Sequence, residues 1–251
     1  MPNTSFDVAF TQHCGANPGQ QDALWNGRDL VQEKNLPCST LQLTDEPWLL
    51  AVADGVAVSA APAKASRYVL ERLVAQDMSR PLNGRRVREV HEALCDKLAR
   101  GKTYGSSTTL VAAQYHNGWC EIVNVGDSRA YLVSAKGEWR QLSQDHTILN
   151  DLIASGEAEA GKSYAEMYKG LAHCLVADYE EDDFPVHYRR IALQAGDRLL
   201  LCSDGVHDTL QDDLQQLYQP ENAILEQTTA WRDAILKAGA PDNFSLVLLA
   251  V

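Results

Sequence analysis

Five aspartates stand where chemistry could be built. Asp54 and Asp204 each follow an apolar run and precede a glycine, in W-L-L-A-V-A-D-G at 48–55 and L-L-L-C-S-D-G at 199–205. Asp127 lies in a glycine turn, Asp242 just before the last apolar segment, and Asp22 in the turn after the first one. Any one has an ordinary explanation, because Asp-Gly is common turn chemistry and Asp often caps a helix. Their joint placement implies more. An ionised carboxylate at the end of a buried strand is costly unless something positive meets it. Hard oxygen donors without a matching set of His or Cys select Mg²⁺ or Mn²⁺ over zinc. Two such ions close together lower the pKa of a bridging water and clamp a phosphoryl oxygen. The chain has no D-x-[DN]-x-[DN]-G loop, which argues against a structural calcium site.

The elements that must position these acids follow from hydrophobic period. Residues 48–53 form a continuous apolar run, the mark of a strand covered on both faces. Alternation or apolar runs predict further strands at 6–12, 40–43, 106–115, 119–125, 130–133, 139–142, 186–193, 197–203 and 244–251. The 40–43 and 48–54 strands are close enough in sequence to form a hairpin or meander. Helical spacing predicts a helix over 63–78, with Ala65, Val69, Leu73 and Gln76 on one face, and another over 86–100, with Val87, Val90, Leu94 and Leu98. The Pro- and Gly-containing link at 79–84 separates them as an antiparallel pair. A short helix is expected at 146–155, ended by Gly156, and further helices at 208–218 and 223–238. Residues 157–183 are polar and irregular, and the acidic cluster at 180–183 reads as a solvated loop. Burying such strands on both faces calls for an α+β fold: a four-layer α-β-β-α sandwich of two packed, mostly antiparallel sheets, each flanked by a helix pair. No linker or repeat divides the 251 residues, so one domain is expected.

Bulk properties narrow the partners. A net charge of −12 argues against nucleic acid as the main partner, since phosphate backbones demand basic surface. The six cysteines are scattered without a C-x-x-C pair, and Cys120 and Cys202 fall inside expected strands. They read as small buried hydrophobes in a reducing compartment. The first ten residues show no basic region followed by an apolar stretch, and no segment reaches membrane-spanning length. A cytoplasmic protein with no membrane partner is expected.

An ordered set of segments carries a resemblance. These are Gln21-Asp22, V-A-D-G at 52–55, Ala65-Ser66, G-S-S-T-T-L at 105–110, V-G-D-S-R-A-Y-L at 125–132, L-S-Q-D-H-T at 142–147, L-L-L-C-S-D-G at 199–205 and P-D-N-F-S at 241–245. The chain resembles the bacterial type of the metal-dependent PPM, or type 2C, family of protein serine/threonine phosphatases. The resemblance implies hydrolysis of phosphoserine and phosphothreonine by in-line attack of a metal-bridging hydroxide, with no phospho-enzyme intermediate. Asp54 resembles the carboxylate that bridges two catalytic Mg²⁺ or Mn²⁺ ions, and the Gly55 carbonyl would bind the second. Asp204 and Asp242 match ligands of the first ion, Asp22 an acid that holds metal-bound water, and Asp127 a ligand of a third ion shared with Asp204. Asn243 would orient Asp242 or serve a turn. Asp145 is expected to cap the helix after it. Implied partners are phosphorylated proteins and a cognate serine/threonine kinase, with the chain acting as a monomer.

Three departures stand out. Asn17 occupies the place where the family commonly has a phosphate-gripping Arg. It would contact phosphate without a charge or a bidentate fork, or a cation such as Arg28 would substitute. The family's D-G-M-G-G-H turn reads D-G-V-A-V-S here, and branched Val58 demands a different backbone path. The flap, about 146–184, keeps only its D-H-T start, and no general acid is identifiable. Asn17 and the altered turn after Asp54 motivate the alternative of a pseudophosphatase, the same fold used as a binding or regulatory module, while the changed flap leaves specificity open.

Overall fold

The computed structural model describes residues 5–44 and 46–251. The leader-free reading of the first ten residues falls partly on residues 1–4, which lie outside the described residues.

The chain opens with β1 (Phe6–His13), β2 (Ala23–Trp25), β3 (Leu30–Val31), β4 (Asn35–Leu43) and β5 (Trp48–Ala53). Two helices follow, α1 (Pro62–Val74) and α2 (Gly84–Leu98), packed on each other. Pro62 occupies the first turn of α1, where its missing N–H costs nothing. The Asn83 side chain accepts from the Arg85 and Arg86 amides and so starts α2. Then come β6 (Ser107–Thr108), β7 (Leu110–His116), β8 (Trp119–Val125), β9 (Arg129–Val133) and β10 (Trp139–Gln141). The remainder is α3 (Ile148–Ser155), β11 (Leu175–Val176), β12 (His187–Ile191), β13 (Arg198–Cys202), α4 (Asp204–Leu210), α5 (Asp213–Gln216), α6 (Ile224–Lys237) and β14 (Phe244–Ala250).

Two six-stranded antiparallel sheets result, ordered β10-β9-β13-β14-β1-β4 and β12-β8-β7-β5-β2-β3, and β11 pairs with β6 apart from both. The continuous apolar runs explain the layering. In β5, Trp48, Leu50 and Val52 enter the core between the sheets, and Leu49, Ala51 and Ala53 enter a second core against α1 and α2. In β13, Leu199 and Leu201 face the central core, and Leu200 and Cys202 face α4 and α6. This is the expected α-β-β-α sandwich, with the four apolar helix positions of α2 all buried.

Several local expectations change. The 40–43 and 48–54 strands do not pair as a hairpin, because β4 pairs β1 in one sheet and β5 pairs β2 and β7 in the other. Gln76 lies beyond the end of α1, and its side chain hydrogen-bonds Arg86. The 106–115 strand breaks at Thr109. The 208–218 helix starts four residues earlier at Asp204 and stops at Leu210, because Gln211 takes a φ of 49°. The turn after Asp54 avoids left-handed backbone, since no residue from 56 to 59 has positive φ. The Ser59 amide donates to the Val56 carbonyl at 2.9 Å, its hydroxyl accepts from the Ser107 amide, and Val58 is 96% exposed.

Candidate active site

Asp54 leaves the buried end of β5 against the break between β6 and β7. Its amide donates to Thr109 Oγ1 at 3.0 Å, and its carbonyl accepts from the Thr109 amide and the Thr108 hydroxyl, each at 2.8 Å. The Thr109 hydroxyl lies 2.7 Å from that of Ser128, beside Asp127. Gly55 must be glycine for want of space: a Cβ there would lie 2.6 Å from the Pro62 backbone and 2.8 Å from the Gln21 carbonyl. The second Asp-Gly follows the same logic, since a Cβ on Gly205 would collide with the Asn243 carbonyl.

Asp204 leaves β13 from the facing sheet and opens α4. Asp22 is fully buried, and its Oδ2 accepts from the hydroxyls of Ser203 and Ser245, each at 2.8 Å. Asp242 accepts from the Asn243 amide at 2.7 Å and from the Asn17 side chain at 2.6 Å. The Asn243 side chain makes no hydrogen bond to Asp242. It binds the Gln21 amide and the Cys14 and Gly19 carbonyls, clamping the loop that delivers Asp22.

These carboxylates surround a cavity of about 250 Å³ lined by Asp54, Gly55, Asp127, Asp204 and Asp242 on one side and by Lys169, Gly170 and Leu171 on the other. Asp22 sits behind its wall, within hydrogen-bonding reach of Asp54. Burial, first, and then mutual repulsion raise these groups: Asp22 to about 7, and Asp54 well above its ordinary value. Asp127 also rises to about 7, through burial and then the charge of Asp204. Burial raises Asp242 as well.

Asp127 is positioned by the turn into the flap. The His146 amide donates to the Gly126 carbonyl at 3.0 Å, and the His146 ring accepts from the Gly126 amide at 3.1 Å. Arg129 grips Asp145 with two nitrogens, at 2.6 and 2.9 Å at their shortest. Asp145 therefore does not cap α3. The Thr147 hydroxyl does, accepting from the Asn150 amide. A Thr two residues later has the same capping chemistry, and Asp145 is spent on an ion pair. His207 was not singled out by sequence. Its Nε2 lies 3.1 Å from the Asp127 carbonyl and its Nδ1 2.9 Å from the Asp208 carboxylate. Ser203 and Ser245 were also missed, although they stand inside the quoted S-D-G and N-F-S segments. Asn17 corrects the expectation of a phosphate contact: its amide is held by Asp242 and it does not line the cavity. Arg28 does not substitute, since its guanidinium reaches the Gln42 carbonyl instead.

Two packed sheets whose interior strands deliver aspartates from both layers to one cavity define an α-β-β-α protein with a carboxylate-lined centre. The protein phosphatase 2C family matches residues 33–237, and the chain belongs to that family. It is 31% identical over 212 residues to the serine/threonine protein phosphatase PstP of Mycobacterium tuberculosis, covering 81% of this chain. The matched part is 40% of that relative's length. The crystal structure of the M. tuberculosis serine/threonine phosphatase PstP/Ppp superposes with a TM-score of 0.79 over 99% of both chains at 23% identity. The PstP catalytic domain in complex with two manganese ions gives 0.72 at 24% identity, over 98% of this chain and 99% of that one. At these identities the superpositions establish a shared fold.

The donor set fits a hard divalent cation in its chemistry. Asp22 Oδ1 and Asp204 Oδ1 are buried without a hydrogen-bond partner, where a positive charge would be most effective. Among the described residues no group of three or more His, Cys, Asp and Glu side chains stands as a ready cation cage. Asp54 contacts both Asp22 and Asp204 instead. Carboxylates in such contact need a shared proton, and a bound cation would take the place of that proton.

Proposed function

We propose that the chain is a Mg²⁺- or Mn²⁺-dependent protein phosphatase that hydrolyses phosphoserine and phosphothreonine monoesters. The observation that carries this reading is the convergence of Asp54, Asp127, Asp204 and Asp242 on one cavity, with Asp22 behind it. When bound, two divalent ions supply an acidified water and neutralise phosphate charge. Asp54, the Gly55 carbonyl, Asp204 and Asp242 would hold them, and Asp127 with Asp204 would hold a third. Asp22, fixed by Ser203 and Ser245, positions Asp54 from behind and presents an oxygen with no other partner. The relative named a serine/threonine protein phosphatase supports phosphoproteins as the substrates. With them come a cognate kinase and a monomeric catalytic unit spanning 1–251 in the cytoplasm. No helix among the described residues is long and apolar enough to cross a membrane.

The test is phosphate release from a phosphothreonine peptide and from p-nitrophenyl phosphate by Mn²⁺-loaded protein, with Asp54→Asn as control. Metal-replete protein inert on both substrates overturns the reading. A binding module of the same fold is the second reading, favoured by the commitment of Asn17 to Asp242. Calorimetric Mn²⁺ uptake without turnover would select it.

A further inference from the structure

We propose that Lys169 receives the substrate's phosphate, so that the flap rather than the loop before Asp22 carries the charged grip on substrate. The inference rests on the phosphatase reading above. A phosphate monoester brings negative charge to a cavity whose opposite wall is aspartate, and the charge of bound ions would be partly neutralised by those aspartates. A further cation on the open side would hold the incoming dianion. Among the described residues lining the cavity, Lys169 is the one with a cationic side chain. Asn17 and Arg28, the two groups that sequence nominated, both point their donors elsewhere.

The flap stem that bears Lys169 is fixed relative to the acids. Residues Glu166–Lys169 form a 3₁₀ turn, and the Gly170 carbonyl accepts from the Ile148 amide at 3.0 Å. Leu171 bridges to Thr147, and the Ala172 amide donates to the His146 carbonyl at 2.9 Å. His146 in turn is bonded twice to Gly126, the residue before Asp127. A continuous run of backbone hydrogen bonds therefore spans from the lysine's stem to the acid loop. The long side chain beyond that stem lets a compact ammonium with three donors follow the phosphate as it seats. Asp208, on α4, lines the same cavity and lies below the ordinary carboxylate range, through its His207 hydrogen bond first and with Lys169 the last of the causes.

The test uses Mn²⁺-loaded full chain. Lys169→Ala is expected to raise KM for both a phosphopeptide and p-nitrophenyl phosphate about tenfold while kcat stays within about twofold, the pattern of lost binding common to ground and transition states. The dissociation constant for inorganic phosphate, measured by calorimetry, should weaken by a similar factor. Lys169→Arg should restore both, which a merely structural role at this exposed position would not require. If wild-type protein releases no phosphate, the phosphatase reading falls. If it turns over and Lys169→Ala leaves KM and phosphate binding within about twofold of wild type, the lysine assignment alone falls.

Discussion

At the floor of the cavity, three hydrogen bonds with Thr108 and Thr109 hold the Asp54 backbone, and the hydroxyls of Ser203 and Ser245 hold the buried Asp22 carboxylate. In the flap that leads to its opposite wall, α3 buries no side chain, and the segment from 156 to 163 is almost wholly exposed. The floor depends on the register of both sheets, so moving one acid would mean moving a strand. The flap depends on a few local bonds at its two ends, at Ile148–Gly170 and Thr147–Leu171. Such a segment can change sequence and path at little cost to the fold. On the proposed function, this division would keep the chemistry on the rigid floor and the grip on substrate phosphate, at Lys169, on the part held by fewer contacts.

The sharpest way to break this contrast is at the floor. Asp54→Asn should lower Mn²⁺-dependent phosphate release by about a thousandfold or more, roughly 4 kcal/mol of barrier. The metal-free variant should melt no lower than wild type, since a repelled buried carboxylate has gone. Next comes pH. Asp22 and Asp127 hold protons up to about 7 in the folded chain against an ordinary value near 3.8. The folded state therefore binds more protons than the unfolded one between these values, and metal-free stability falls as pH rises through them. Scanning calorimetry of metal-free protein should give a lower Tm at pH 8 than at pH 5, and Mn²⁺ should recover the loss at pH 8 by replacing the protons.

The junction between floor and flap gives a smaller effect. Arg129→Ala leaves the mostly buried Asp145 carboxylate without its two-nitrogen partner and should cost about 2–3 kcal/mol in urea unfolding. The smallest effect belongs to the flap. Thr147→Ala removes the α3 cap and should cost about 1 kcal/mol locally. Faster amide exchange confined to 148–155, with global Tm nearly unchanged, is the expected signature. Exchange that quickens equally in the strands carrying the acids, with a clear loss of global Tm, would dissolve the contrast.

Much of this was legible beforehand, and the reasons differ by feature. The apolar run at 48–53 specified burial on both faces, and β5 has that burial at all six residues. The 3.6-residue spacing of Val87, Val90, Leu94 and Leu98 specified one face of α2. Local chemistry that competes with itself was harder to read. Asp145 and Thr147 both suit a helix cap, and only the proximity of Arg129 decides between them. Asn17 looked free to meet substrate until Asp242, 225 residues away, took its amide. The short strands β2 and β3, three and two residues long, are too brief for any periodicity to show.

By itself the chain determined the burial of its long periodic segments, the course of most helices and long strands, and that five acids sit at strand ends or in the adjoining turns. Periodicity reports that a side chain is covered, because water is excluded from one face or both. It does not report by what. The tertiary structure alone decided that β4 and β5 part into different sheets, and that Ser203 and Ser245 meet Asp22 across 181 and 223 residues. It also carried the flap's lysine to the cavity that the aspartates line. Those contacts form when two sheets close on a shared core, so no local stretch of sequence contains them.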